Sequence, residues 1–267
     1  MSNSNLVSYV KYSPFNSGER KHAIDRITPH CVVGQCAIET LGAEFAKPGK
    51  NASSNYGIDK DGRVGMFVEE DRISWCSGGN LLTEAIPNDH RAVTIECASD
   101  TDSPWAFRPT VYERLVELCT DICRRNGKTK LLWIDNRDVA LAYQPKKDEM
   151  VLTVHRWFAN KACPGDWMME RMGDLAQRVT AALSPVEYDD GEGGTIIEPR
   201  PTTSPQPWYA EAMAWAAENG LINDGRPNDP VTRAELATVL QRFDKRMDEK
   251  IKLHLPEDMS LGGLISE

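Results

Sequence analysis

No segment of this chain is apolar over the roughly 18 or more residues that a membrane-spanning helix needs, so membrane insertion is not expected. A run of Lys and Arg that could track phosphates is also missing. With 31 Lys and Arg against 40 Asp and Glu the formal net charge is −9, and nucleic acid is not an expected partner. The opening residues, Met1-Ser2-Asn3-Ser4-Asn5-Leu6, lack the basic start, apolar stretch and small-residue cleavage site of a secretory leader. Synthesis as a cytoplasmic chain without a signal peptide is the expectation. Cysteine is present but not in a compact disulfide pattern. Cys31, Cys36, Cys76, Cys97, Cys119, Cys123 and Cys163 make an odd set, which points to free thiols, most of them buried, and to metal ligation.

What is there is an ordinary globular composition, 40% hydrophobic and 27% charged, over 267 residues, enough for one substantial core and a smaller module. Arg26–Val33 reads as a buried strand carrying a histidine, and 35–46 as a helix with Ile38, Leu41 and Phe45 on one face. Turn formers at Asp59-Lys60-Asp61-Gly62 predict a hairpin within 55–68. The β-branched run 91–97 predicts a central strand. Val111, Leu115, Leu118 and Ile122, opened by Pro109 and closed by Asn126-Gly127, predict a helix over 109–126. A strand at 151–155 and a helix at 166–182 complete an α/β domain over residues 1–183, with a mixed central sheet flanked by helices. Residues 184–207, acidic and then Pro-rich, read as a linker. From Trp208 to 267 the pattern is a small all-α module, with Thr232 and Glu235 forming a capping box before a second helix at 232–243.

Two histidines and a cysteine suffice for a catalytic zinc site that keeps its fourth position open. His155 and Cys163 flank a loop closed by Pro164-Gly165, and His30 lies on a strand that can neighbour them. By spacing alone a strand histidine serves a core equally well.

The motifs narrow this. Thr28-Pro29-His30, Ser54-Asn55-Tyr56-Gly57-Ile58-Asp59-Lys60-Asp61-Gly62, Asn88 with Val93-Thr94-Ile95-Glu96, and His155-Arg156 with Asn160-Lys161-Ala162-Cys163-Pro164-Gly165 resemble, in order, the motifs of the type 2 amidase family. That family includes many phage endolysins and is related to peptidoglycan recognition proteins; the resemblance spans roughly residues 20 to 183. It implies Zn2+ held by His30, His155 and Cys163, and hydrolysis of the amide between N-acetylmuramic acid and L-alanine in peptidoglycan. It implies Glu96 as general base and Lys161 as oxyanion stabiliser. Where relatives of the recognition proteins carry a catalytic tyrosine, this chain has Ser54, and Tyr56 falls at a core position, which leaves the base to Glu96. Asn55 stands where the family often has His, and Trp75-Cys76-Ser77-Gly78 where it has a Trp-His-Ala-Gly-like segment. Ser54, Asn55, Trp75 and Asn88 are the expected substrate contacts. Cys31 and Cys97, by strand alternation, point to the opposite, core face.

Residues 208–222 with 227–237 resemble one S-layer homology motif, a type usually found in three copies that binds secondary cell-wall polymers. Trp208 and Arg233 are its candidate contacts; a helix pair that oligomerises the chain fits the same residues. The leading expectation is a phage or prophage endolysin that reaches the wall through a holin lesion. A host amidase of wall turnover or recycling, and a non-catalytic peptidoglycan-binding protein, are the alternatives.

Overall fold

The structure, a computed structural model, describes residues 3–78, 86–184, 186–189 and 195–198, with isolated helical positions Gln241 and Phe243. The chain divides into two compact units, Met1–Ser204 and Pro205–Glu267. The module predicted to be helical, with Trp208 and Arg233, lies outside the described residues, Gln241 and Phe243 apart.

In chain order the first unit runs β1 (Val7–Val10), β2 (Asn16–Glu19), β3 (Arg26–Cys31), α1 (Ile38–Ala46), β4 (Tyr56–Ile58), β5 (Val64–Met66), β6 (Arg72–Ser74) and β7 (Ala92–Cys97). It continues α2 (Pro109–Arg125), β8 (Lys130–Leu132), α3 (Arg137–Ala142), β9 (Glu149–Leu152), α4 (Asp166–Met169), α5 (Met172–Leu183), β10 (Val186–Asp189) and β11 (Thr195–Glu198). Seven strands form one sheet in the order β1-β5-β4-β7-β3-β9-β8. Only the β4–β5 hairpin is antiparallel within it. The sheet is thus mixed, flanked by helices, as the sequence predicts.

β3 lies between β7 and β9 and is buried along its whole length. Its period of two sends Ile27 and Cys31 into a core shared with Val93, Ile95 and Cys97 of β7. The 3-and-4 spacing of α2 lays Val111, Leu115, Leu118 and Ile122 on that core, and α5 adds Leu175 and Val179. Each such buried aliphatic contributes roughly 1.5–3 kcal/mol. On the other face α1 brings Ile38, Leu41 and Phe45 against Phe67. That approach depends on Gly57 and Gly65, which pair across β4 and β5. A Cβ at Gly57 would lie 2.6 Å from Leu41 Cδ2, and one at Gly65 2.5 Å from Ile38 Cγ1.

Four elements depart from their predicted limits. α1 starts at Ile38 rather than at 35, because the backbone N–H of Ile38 donates to Asp59 Oδ2 at 3.3 Å, a cap supplied by the hairpin turn. The strand predicted at 151–155 ends at Leu152, and His155 opens a 3₁₀ turn, His155–Trp157. The helix predicted at 166–182 is broken where Arg171 has φ −109° and ψ 0°. The segment read as linker opens with an antiparallel pair, β10 and β11, in the register Val186↔Glu198 to Asp189↔Thr195. Its β-branched Val186, Thr195, Ile196 and Ile197 favour strand. Among the described residues no helix is long and apolar enough to cross a membrane.

Candidate metal centre

The same alternation that buries Ile27 and Cys31 turns Arg26, Thr28 and His30 to the opposite face of β3. On β7 it turns Thr94 and Glu96 the same way, and His30 and Glu96 are register partners. His155 arrives just beyond the end of β9. Cys163 is brought back by a pinned loop: Arg156 N–H donates to Cys163 O at 3.1 Å, the Arg156 guanidinium bonds Ala162 O and Asp166, and Gly165 N–H donates to Ala162 O at 2.9 Å. Gly165 takes φ +90°, with Pro104 O 2.9 Å from where a Cβ would sit, so no other residue fits that bend.

These elements converge. Cys163 Sγ lies 3.4 Å from His30 Nδ1, and the rings of His30 and His155 are 5.0 Å apart between centroids. One ligand atom from each of His30, His155 and Cys163 falls within 4.8 Å of the others. His30 is 1% exposed, and its pKa is held well below 6.5, first by burial and then by neighbouring His155. Burial, then the charge of Lys161, lowers His155 as well. Both imidazoles are therefore neutral near pH 7, the form that donates a lone pair to a cation. The Cys163 thiol is pushed up by its hydrogen bond with Cys31 and by burial, so a cation must displace its proton. The Cys31 N–H, 3.5 Å from Cys163 Sγ, favours the thiolate that would result. Two imidazoles and one thiol, compact and shielded, fit the borderline-soft donor preference of zinc.

Around these three residues stands a polar frame. His30 Nε2 lies 3.2 Å from Ser77 Oγ, which accepts from Asn88 Nδ2 at 3.3 Å. Asn88 Oδ1 accepts from Arg26 Nη1 at 3.3 Å and from Thr153 Oγ1 at 3.0 Å. The buried carboxylate of Asp89 accepts the backbone N–H groups of Cys76, Ser77 and Gly78 at 2.9–3.1 Å, which fixes the loop carrying Ser77. Glu96 is partly exposed. Burial pushes its pKa up to about 7, against smaller lowering effects from the Cys76 thiol and Lys50. Cys76 Sγ donates to Glu96 Oε1 at 3.8 Å.

The other predicted residues separate into two groups. Lys161 is exposed and Trp75 is 41% exposed, the latter donating from Nε1 to Ser17 Oγ at 2.7 Å. Ser54, Asn55 and Asn88 are fully buried. Ser54 donates to Tyr56 O and Thr94 O; Asn55 donates to Val68 O, Glu69 O and Arg72 O and accepts from Arg20 and Ser74. Rather than lining a surface, Ser54 and Asn55 spend their polar atoms on joining their loop to Thr94 of β7, and Asn88 spends its own on Arg26 and Thr28 of β3, Thr153 and Ser77. Tyr56 is a core residue whose hydroxyl donates to Glu70 at 2.7 Å. Cys97 lies in the core as expected, while Cys31, also buried, meets Cys163 through its thiol as well as its backbone N–H, because it ends β3 beside the returning loop. Ser77, Asp89 and Cys76 were not singled out from sequence. The one visible signal was that Trp75-Cys76-Ser77-Gly78 departs from the family's pattern.

At one end of the parallel strands this α/β sheet gathers three side chains that could hold a cation, with a partly exposed carboxylate beside them. The chain belongs to the N-acetylmuramoyl-L-alanine amidase family, whose model matches residues 20–166. A second model, the S-layer homology domain, matches residues 202–237. Among solved structures the chain is similar to PlyL at 15% identity, covering 67% of this chain and 97% of that one, with a TM-score of 0.45. It is similar to AmpD at 16% identity, with coverages of 66% and 99% and a TM-score of 0.44. A third likeness is to the endolysin of a Thermus scotoductus bacteriophage at 18% identity, with coverages of 64% and 98% and a TM-score of 0.39. No protein with a curated description matches the chain.

Proposed function

We propose that this chain is a zinc-dependent hydrolase of the amide between the lactyl group of N-acetylmuramic acid and L-alanine in peptidoglycan. The observation that carries the reading is the convergence of His30, His155 and Cys163 within 4.8 Å of one another, with Glu96 facing His30 across the sheet. Zinc held there supplies Lewis acidity toward the scissile carbonyl and brings the pKa of water toward about 7.

The protein's own groups do the rest. Glu96, with a pKa of about 7 set by burial, takes a proton from the attacking water and returns it to the leaving amine of L-alanine. Lys161, whose charge lowers the pKa of His155, serves to offset negative charge developing on the carbonyl oxygen. Trp75 offers an aromatic face to substrate at the exposed rim. Ser54, Asn55 and Asn88 act at one remove, by holding the loops that shape the site.

The pairing of an amidase model with an S-layer homology model supports an endolysin, a catalytic unit delivered to wall polymer by the second module through Trp208 and Arg233. Release through a holin lesion is part of that proposal.

Purified cell wall treated with the protein should gain muramoyl lactyl carboxylates and L-alanine amino termini. Cys163→Ala, or a chelator, should abolish both, and zinc should restore only the wild type. New reducing sugar ends instead would mean glycosidic cleavage and end the amidase reading.

A further inference from the structure

Cys76 has no part in the reaction described above, yet its thiol lies inside the site. Its Sγ is 3.8 Å from Glu96 Oε1. Ligand atoms of His30, Cys76 and Glu96 fall within 4.8 Å of one another, a second set as compact as the first. Thiol, carboxylate and imidazole together suit zinc or cadmium and disfavour magnesium and calcium, which take all-oxygen sites.

The two sets share His30, and the ring is oriented so that sharing is feasible. Nδ1 faces Cys163 at 3.4 Å, whereas Nε2 faces Ser77, the residue next to Cys76. One nitrogen thus faces each side, and the Asp89 carboxylate, accepting their backbone N–H groups, holds Ser77 beside Nε2 and Cys76 next to it in the chain.

We propose that Cys76, Glu96 and the Nε2 side of His30 form a second site for a thiophilic divalent cation, whose occupation removes Glu96 from catalysis. On binding, the Cys76 thiol and the His30 Nε2–H release their protons to solvent, the Ser77 hydrogen bond is given up, and Glu96 becomes a ligand unable to accept a proton. The amidase is then limited by excess of the same ion that activates it. Inhibition rests on Glu96 being the base; the existence of the site does not.

The full chain, stripped by chelation and dialysed against graded zinc, should bind two equivalents, and Cys76→Ser one. Wild-type activity should rise with the first equivalent. With the second it should fall toward the roughly 10²–10⁴-fold loss that attends a missing general base. Cys76→Ser, compared with its own activity at one equivalent, should show no such fall. In Cys163→Ala, cadmium should give the ultraviolet thiolate-to-cadmium band, and Cys76→Ser/Cys163→Ala should lack it. One zinc equivalent in the wild type, or two in Cys76→Ser, would overturn the proposal. If Cys163→Ala fails to fold, the stoichiometries of wild type and Cys76→Ser decide alone. If instead Cys163→Ala keeps full activity, the first site is misassigned while the second equivalent still stands or falls on Cys76.

Discussion

The two nitrogens of His30 face different partners, Nε2 toward Ser77 Oγ and Nδ1 toward Cys163 Sγ. A cation bound beside Cys163 selects the tautomer in which Nε2–H donates to Ser77 Oγ and the lone pair of Nδ1 points toward Cys163. Ser77→Ala should weaken zinc binding by about 10- to 100-fold, the usual effect of losing such a partner, as measured by competition with a chromophoric chelator. Ser77→Thr should restore it; equal affinity in all three proteins would remove the hydroxyl from the account. Glu96 makes a pH prediction for the metal-free protein. Its folded pKa of about 7 lies above the ordinary 4.5, so folding favours the protonated form. This group's contribution is fully present below about pH 4.5 and lost as pH rises through about 7. Relative to wild type, Glu96→Gln should therefore melt higher at pH 8 and lose that advantage by pH 4. At this scale the sequence was half legible. That His30, His155, Cys163 and Glu96 would meet was legible through the family resemblance of the motifs that carry them, not through spacing alone. Ser54, Asn55 and Asn88 look like surface residues in sequence, since nothing local reveals that each is buried among backbone carbonyls and amides from distant segments. Cys76 meets Glu96 only through the tertiary fold.

Among the elements, those with strong periodicity were the legible ones. β3, β7 and α2 declare themselves because six consecutive strand residues, all buried in β3 and all but Glu96 in β7, or four helical turns repeat one pattern. β1, β2, β6 and β8 run only three or four residues, too short to establish a period, and their existence depends on partners elsewhere in the sheet. The paired glycines of β4 and β5 are a different case: their purpose appears only once α1 is seen lying on them. Gly65→Ala should cost about 1–3 kcal/mol, the range for overpacking a filled core, because Ile38 is β-branched and its Cγ1 cannot easily swing away. Urea denaturation would measure it. A loss below a few tenths of a kcal/mol would show that α1 can lift from the sheet at little cost.

On the scale of the molecule, the N-terminal unit contains every residue assigned to the chemistry, and the S-layer homology match begins near its end. Truncation after Gln206 should leave cleavage of soluble muramoyl-peptide intact. Retention on whole walls should fall, by up to roughly 10²-fold if both modules engage the wall together. Co-sedimentation with walls, set beside kinetics on the soluble substrate, separates the two effects; a parallel loss of both would tie the second unit to catalysis. The order of residues along the chain carries one more consequence. β3 lies in the sheet between strands that follow it by some 60 and 120 residues, and the thiol of the cation site is 133 positions beyond its first imidazole. While the ribosome is still making this protein, His30 emerges early on a strand with both edges bare. Such long-range pairings form slowly. With zinc held as proposed, the donor set stays incomplete until Cys163 has left the exit tunnel, which keeps the nascent amidase silent through most of its own synthesis.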